Sequence, residues 1–240
     1  MPVANRVKQR PPPAASEDFR VRVAAQKRER MRARLIAATK DAYVAGGPKR
    51  TPVVEDVIRQ AGVSRGTFYK YFDSLDEILA EIGYAVAGEM LATYDRLFAA
   101  TNDSAVRIAM GPLMAMARAA MEPQHGAFVA RVNFVEYLGG EDPGALIVKR
   151  SLTEAKHAGT LDFDSLDAAI DVVIGATVEG VRRICRTGVL DGAYIREVTA
   201  ILMIGLGLSR KRAQTAVAEA WQHLQRQSAA LHWWQPVALV

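Results

Sequence analysis

The segment Thr51–Phe72, TPVVEDVIRQAGVSRGTFYKYF, admits few folds. Thr51 suits a helix N-cap and Pro52 the first helical position, where no intrahelical hydrogen bond is lost. A helix is therefore predicted from there to Ala61, with Gly62 stopping it. Ser64 can cap a second helix, in which Phe68 and Phe72 stand four residues apart on one face, while Gly66, Thr67, Tyr69 and Lys70 fall on the other. Two short helices about a tight turn, the second packed through its aromatic face and polar outside, form a helix-turn-helix. The second helix is then free to enter a DNA major groove.

The flanking sequence extends this plan in both directions. From Gln26 to Ala45 the positions Met31, Leu35, Ala38, Ala42 and Tyr43 keep helical spacing, and Gly46-Gly47-Pro48 closes the segment. Ahead of it, Met1 to about Ala24 holds Pro11-Pro12-Pro13, Arg6, Lys8, Arg10, Arg20 and Arg22 with little apolar content. A mobile arm is expected there, able to track phosphates or to stay a solvated tail. After Phe72, Ser74 and Glu77 fit a capping box. Leu75, Ile78, Leu79, Ile82, Val86, Met90, Tyr94 and Leu97 then continue an apolar stripe to about Ala99. At ~1.5 Å per residue this helix reaches close to ~40 Å, enough to leave a small domain and enter a larger one as a lever.

Further helices are predicted at Asp103–Met121, Gly126–Leu138, Pro143–His157, Ser165–Thr187, Gly192–Leu206 and Ser209–Leu231, separated by Gly, Pro or Asp-rich breaks. No alternating runs or hairpin turns compete, so the fold class is all-α. The chain divides into a basic arm (1–24), a three-helix helix-turn-helix domain for DNA (25–73) and a larger helical domain for ligand binding and dimerisation (74–240).

Charge follows the same division. Residues 1–72 carry 16 Lys and Arg against 6 Asp and Glu, and the remaining residues 15 against 20. A basic front end suits phosphates, whose neutralisation makes binding salt-dependent. The single cysteine, Cys185, has no partner for an intramolecular disulfide, and no N-terminal stretch reads as a signal peptide. A reducing cytoplasm is the expected setting. The longest apolar run, Ala200–Leu208, is far short of the ~20 residues a bilayer span needs, so no membrane partner is expected. His125, His157, His223 and His232 lack metal-ligand spacing and read as surface or capping residues. Gly205-x-Gly207 lacks the third glycine and the βαβ setting of a dinucleotide site, and no nucleophile has a placed base. No metal, no cofactor and no enzymatic activity are expected. Trp233 and Trp234 are expected to dock the last helix.

The stretch Leu35–Leu79, above all AGVSRGTFYKYFDSLDEIL at Ala61–Leu79, resembles the DNA-binding domain of the TetR/AcrR family of transcriptional repressors. The resemblance implies a homodimer whose two recognition helices read a palindromic operator in double-stranded DNA. It also implies a C-terminal domain in which a small molecule lowers DNA affinity. Carried over by position, Arg65, Gly66, Thr67, Tyr69 and Tyr71 stand where the family touches bases and phosphates. Lys49, Arg50, Thr51, Ser64 and Lys70 complete the candidate set, with Tyr71 divided between a phosphate contact and the core. Two departures stand out: Leu75 where the family usually has Lys, and Val53 and Glu55 where it usually has Thr and Arg.

In the larger domain, Met90, Tyr94, Phe98, Met110, Leu113, Met114, Phe128, Phe134 and Tyr137 are candidates to line a pocket for an apolar or amphiphilic effector. Flexible methionines suit adaptable apolar cavities, although plain core is the stronger reading for any single one of these residues, and the pocket itself is what the resemblance implies. Gly175, Ala176, Gly180, Gly205 and Gly207 would let helices approach closely at a two-fold interface. Two rival readings remain open here. One is a non-sensing, nucleoid-associated DNA-binding protein; the other is an all-α lipid-binding protein or enzyme with a basic domain.

Overall fold

The computed structural model describes residues 13–46, 50–98, 101–132, 143–188 and 191–235, and among them every regular element is helical. The helices are α1 (Pro13–Ala45), α2 (Val54–Ala61), α3 (Arg65–Tyr69), α4 (Leu75–Phe98) and α5 (Ser104–Met121). They continue as α6 (Pro123–Arg131), α7 (Pro143–His157), α8 (Leu166–Thr187), α9 (Gly192–Gly205) and α10 (Arg210–Arg226), before a single 3-10 turn at Ser228–Ala230.

Helix α1 begins about a dozen residues before the position that apolar spacing indicates. Half of the expected arm is therefore helical. Pro13 is tolerated as the first helical residue, and the following run contains no glycine or further proline to interrupt it. Residues 19–30 are exposed throughout, which explains why periodicity gave no sign of them: a helix without a buried face has no apolar stripe.

Two cores organise the chain. The smaller joins Leu35, Ala38 and Tyr43 of α1 with Val57 and Ala61 of α2, Phe68 and Phe72 around α3, and Ile78, Leu79 and Ile82 of α4. The larger gathers α5 at its centre, with Met110, Leu113, Met116 and Ala117 wholly buried against α8, α9 and α10. Helix α4 contributes its first turns to the small core and Tyr94 and Leu97 to the large one. Its 24 residues correspond to about 36 Å of rise. Helix α6 forms a second bridge, because its Phe128 belongs to the small core and meets the Tyr43 ring edge-on at 5.7 Å, while α6 also packs on α5 and α8.

Helix starts in the larger domain are fixed by short polar side chains. Asp103 Oδ1 accepts from the N–H groups of Ala105 and Val106, Ser165 Oγ from Ala168, Asp191 Oδ1 from Ala193 and Tyr194, and Ser209 Oγ from Arg212. These residues cap the helices rather than belong to them. At the other end of the chain, Trp233 is buried and Trp234 stacks at 5.9 Å from both Trp221 and Trp233, docking the C-terminal segment on α10.

Candidate functional site

The helix-turn-helix is built by two different caps. Thr51 does not cap α2; Val53 takes that place, and its backbone N–H donates to Asp56 Oδ2 at 3.0 Å. Pro52 is buried just ahead of the helix instead of opening it. The carboxylate of Asp56 thus fixes the helix start from inside the first turn, by accepting the N–H of the N-cap residue itself. It is further paired with Arg50 at 2.9 Å and with Arg59. The hydrogen bond from Val53 and the two guanidinium groups hold its carboxyl below the usual carboxylate range, against the opposing effect of burial. Gly62 ends α2 with φ of 60°, a left-handed conformation that glycine adopts without steric cost.

Ser64 caps α3: the Thr67 N–H donates to its Oγ at 3.1 Å, and the Ser64 and Thr67 hydroxyls lie 2.9 Å apart. Phe68 and Phe72 are sealed in the small core. Arg65, Gly66, Tyr69 and Lys70 are exposed around the outside of α3, so the aromatic-in, polar-out division read from spacing is present in three dimensions. Tyr71 is half-buried with its ring against the small core. Its carbonyl accepts from Arg32 Nη1 at 3.1 Å, while the Arg32 guanidinium lies 4.4 Å from the centre of the Phe72 ring and pairs with Glu81 of α4. Arg65 forms an ion pair with Glu55 of α2 at 3.1 Å and lies over the Tyr69 ring at 5.7 Å. Lys49 falls outside the described residues.

A second site occupies the larger domain. A cavity of about 220 Å³ opens between α4, α5, α7 and α8, with a mainly apolar wall. Met90, Tyr94 and Met114 line it. Met110 and Leu113 do not; they are wholly buried on the α5 face that meets the neighbouring helices. Phe128 is not in the wall either, because α6 turns it onto Tyr43 between the two cores. The Phe98 side chain, Phe134 and Tyr137 lie outside the described residues.

Several wall residues escape any reading of periodicity. Arg118 is buried on α5, held by Glu122 at 2.8 Å and by Glu89 of α4 at 3.1 Å. His125 lines the cavity instead of standing on the surface or capping a helix. Burial, with Arg118 beside it, lowers its imidazole from 6.5 to about 4, so it is neutral at physiological pH. Two of the four wall hydroxyls are spent internally: Tyr94 donates to the Arg107 carbonyl at 3.1 Å and Thr177 to the Val173 carbonyl at 2.6 Å. One signal in the sequence marks the cavity in retrospect, the Gly111-Pro112 pair within an otherwise strong helix.

Among the described residues, no three His, Cys, Asp or Glu side chains are grouped to hold a metal, and no helix is long and apolar enough to cross a membrane.

Residues 35–82 match the family described as bacterial regulatory proteins, tetR family. No curated protein matches the chain. Among solved structures, RolR in complex with the ligand resorcinol aligns with a TM-score of 0.61 at 20% identity, covering 81% of this chain and 96% of that one. The fatty acid degradation regulator FadR from Bacillus halodurans aligns at 0.55 and 17% identity, covering 75% and 97%. A gamma-butyrolactone receptor, described as ArpA-like, aligns at 0.53 and 18% identity, covering 82% and 98%. At these identities the likeness establishes a shared two-domain helical fold.

Proposed function

Because the chain belongs, through its N-terminal domain, to the TetR family of bacterial regulatory proteins, we propose that it is a homodimeric transcriptional repressor released from a palindromic operator by an apolar or amphiphilic small molecule. The coarser reading, a DNA-binding transcriptional regulator, follows from the family itself.

The observation that carries the proposal is the joint placement of two sites on one helix. Helix α4 shares the small core with Phe68 of the reading helix through Ile78, Leu79 and Ile82, and forms part of the cavity wall through Met90 and Tyr94. A molecule that fills the cavity and displaces α4 changes the position of α3. Two recognition helices must stand about 34–36 Å apart to enter successive major grooves on one face of the duplex. Small displacements at each protomer therefore disturb binding, and by linkage DNA weakens effector binding by the same factor. The cavity argues against a non-sensing DNA clamp, whose larger domain has no reason to leave such a volume unfilled. RolR with resorcinol and the gamma-butyrolactone receptor are relatives in fold whose names carry small molecules, which supports a sensing role here.

In this reading Arg65, Tyr69 and Lys70 make the principal DNA contacts, with Gly66 allowing close approach of α3 to the duplex. Ser64 and Thr67 set the helix start, while Thr51, Arg50, Lys49 and the exposed arginines of α1 supply phosphate contacts. The expected setting is the cytoplasm. Selection of bound DNA from random fragments should return a palindrome, and its affinity should fall when effector candidates are added. Purified protein that binds no duplex sequence in preference to another would overturn the proposal.

A further inference from the structure

We propose that the cavity takes a short amphiphilic carboxylate, its anionic end held by Arg107 and its apolar body lying along Gly111 towards Arg118. This rests on the sensing role proposed above and names the chemistry of that same site.

The charged groups of the wall are of one sign. Besides Tyr94, its titratable residues are Arg107, Arg118 and His125, and no acidic residue lines the cavity among those described. His125 is a neutral imidazole at physiological pH. Arg118 is buried and already held by two carboxylates, Glu89 and Glu122, of which Glu89 also meets His232 at 3.7 Å. A ligand anion therefore finds no unmatched cation at that end.

Arg107 differs. It is half-buried, and among the described residues its guanidinium has neither a carboxylate within ion-pairing distance nor a hydrogen-bond acceptor. Asp103, one turn before it, is committed to Arg212 and to the N–H groups of Ala105 and Val106. The Arg107 carbonyl receives the Tyr94 hydroxyl, so at this residue the backbone acceptor is satisfied and the side chain is not. A guanidinium in an apolar wall is screened less than one on an open surface, and its planar fork matches a carboxylate.

Position and size set the rest. Arg107, Gly111, Met114 and Arg118 follow one another at helical spacing and all line the cavity, with Arg107 and Arg118 about 16 Å apart along α5. Between them, nothing lies within 4 Å of the position a side chain would take at Gly111. A protein cavity of about 150 Å³ holds benzene, so about 220 Å³ takes roughly eight or nine carbon atoms. An unpaired cation at one end and apolar walls beyond it are the complement of such an anion.

The test is calorimetric titration of the full-length protein, at neutral pH and without DNA, by three probes of one chain length: octanoate, 1-octanol and octylammonium. Octanoate should bind once per chain, about tenfold tighter than the alcohol, because a charge-assisted pair replaces a neutral contact. Octylammonium should bind about tenfold more weakly than the alcohol, since it meets a like charge and no carboxylate in the wall. Arg107→Gln should bring octanoate down to the affinity of octanol or below. Arg107→Lys, which keeps the charge without the fork, should keep a preference of about threefold. Equal binding of octanoate and octanol, tighter binding of octylammonium, an undiminished preference in Arg107→Gln, a lost preference in Arg107→Lys, or no binding of any probe would each overturn the assignment. Operator binding measured on the same protein separates this failure from failure of the regulatory reading.

Discussion

Glu55 of α2 holds Arg65 of α3 at 3.1 Å, so the residue proposed to read a base is tied to a carboxylate at a position where the resemblance leads one to expect a cation. Both side chains are more than half exposed, and an ion pair of this kind is weak in water. Its consequence lies in binding. Arg65 must leave Glu55 to reach guanine, and the carboxylate repels phosphates that a cation would attract. Glu55→Gln should therefore raise affinity for all duplexes and narrow the gap between operator and random DNA. Arg65→Ala should lose about 1–3 kcal/mol of discrimination at one base pair of each half-site. Titration of both variants against single-position operator changes gives the comparison, and a Glu55→Gln variant with unaltered selectivity would remove this role.

Lys70 caps the C-terminal end of α3 and is exposed beside Tyr69. On the proposed reading it contacts the backbone of the duplex and not base edges. Lys70→Ala should weaken operator and random DNA by similar factors and flatten the salt dependence by about one unit of slope. Binding isotherms at several salt concentrations measure it; a loss confined to the operator would mean that Lys70 reads a base.

Gly126 lies where α6 crosses α5. A methyl group there would stand 2.7 Å from the Ala119 carbonyl oxygen and 3.0 Å from Cys185 Sγ, and the backbone contact has little freedom to yield. Gly126→Ala should cost about 1–3 kcal/mol of stability, as overpacked sites do, and shift the urea unfolding midpoint down. An unchanged midpoint would show that α6 is free to move away from α5.

His125 makes stability dependent on pH. The folded protein lowers its imidazole to about 4 from an ordinary 6.5, through burial first, then Arg118, Lys40 and His232, with Glu122 acting in the opposite sense. Folding therefore favours the neutral ring. The contribution is complete above pH 6.5 and is lost as pH falls from there towards 4, a change on the order of 2–3 kcal/mol. His125→Gln should lose less Tm across that interval than the parent protein, as scanning calorimetry at stepped pH will show. Parallel curves for the two proteins would mean that the ring is solvated.

The reading helix was legible in the sequence because its signals are local. Phe68 and Phe72 at one helical spacing, Ser64 before them and Gly62 before that are each decided within a few residues. The cap of α2 differs from the one the sequence suggests for a related reason: Thr51 has the right chemistry, but Asp56 reaches back from inside the helix and the start lies at Val53. The cavity was only half legible. Methionine density pointed to the right region, and Met90, Tyr94 and Met114 do stand in its wall, but spacing does not tell which apolar face meets other helices and which meets empty space. Met110 and Leu113 share a helix with Met114 and are packed solid. Arg118 has no signal in the sequence and His125 reads there as a surface or capping residue, because their places depend on Glu89, Glu122 and burial, none of which is a property of the local sequence.

Arg32 carries one more implication. Its guanidinium rests on Phe72, donates to the Tyr71 carbonyl and is paired with Glu81 of α4. The end of the reading head and the base of the lever thus share a single rivet on α1. A lever fastened in this way turns its load instead of loosening it. On the proposed reading, release from DNA would come from misaligning two intact heads, and the helix-turn-helix should stay as folded with effector bound as without it.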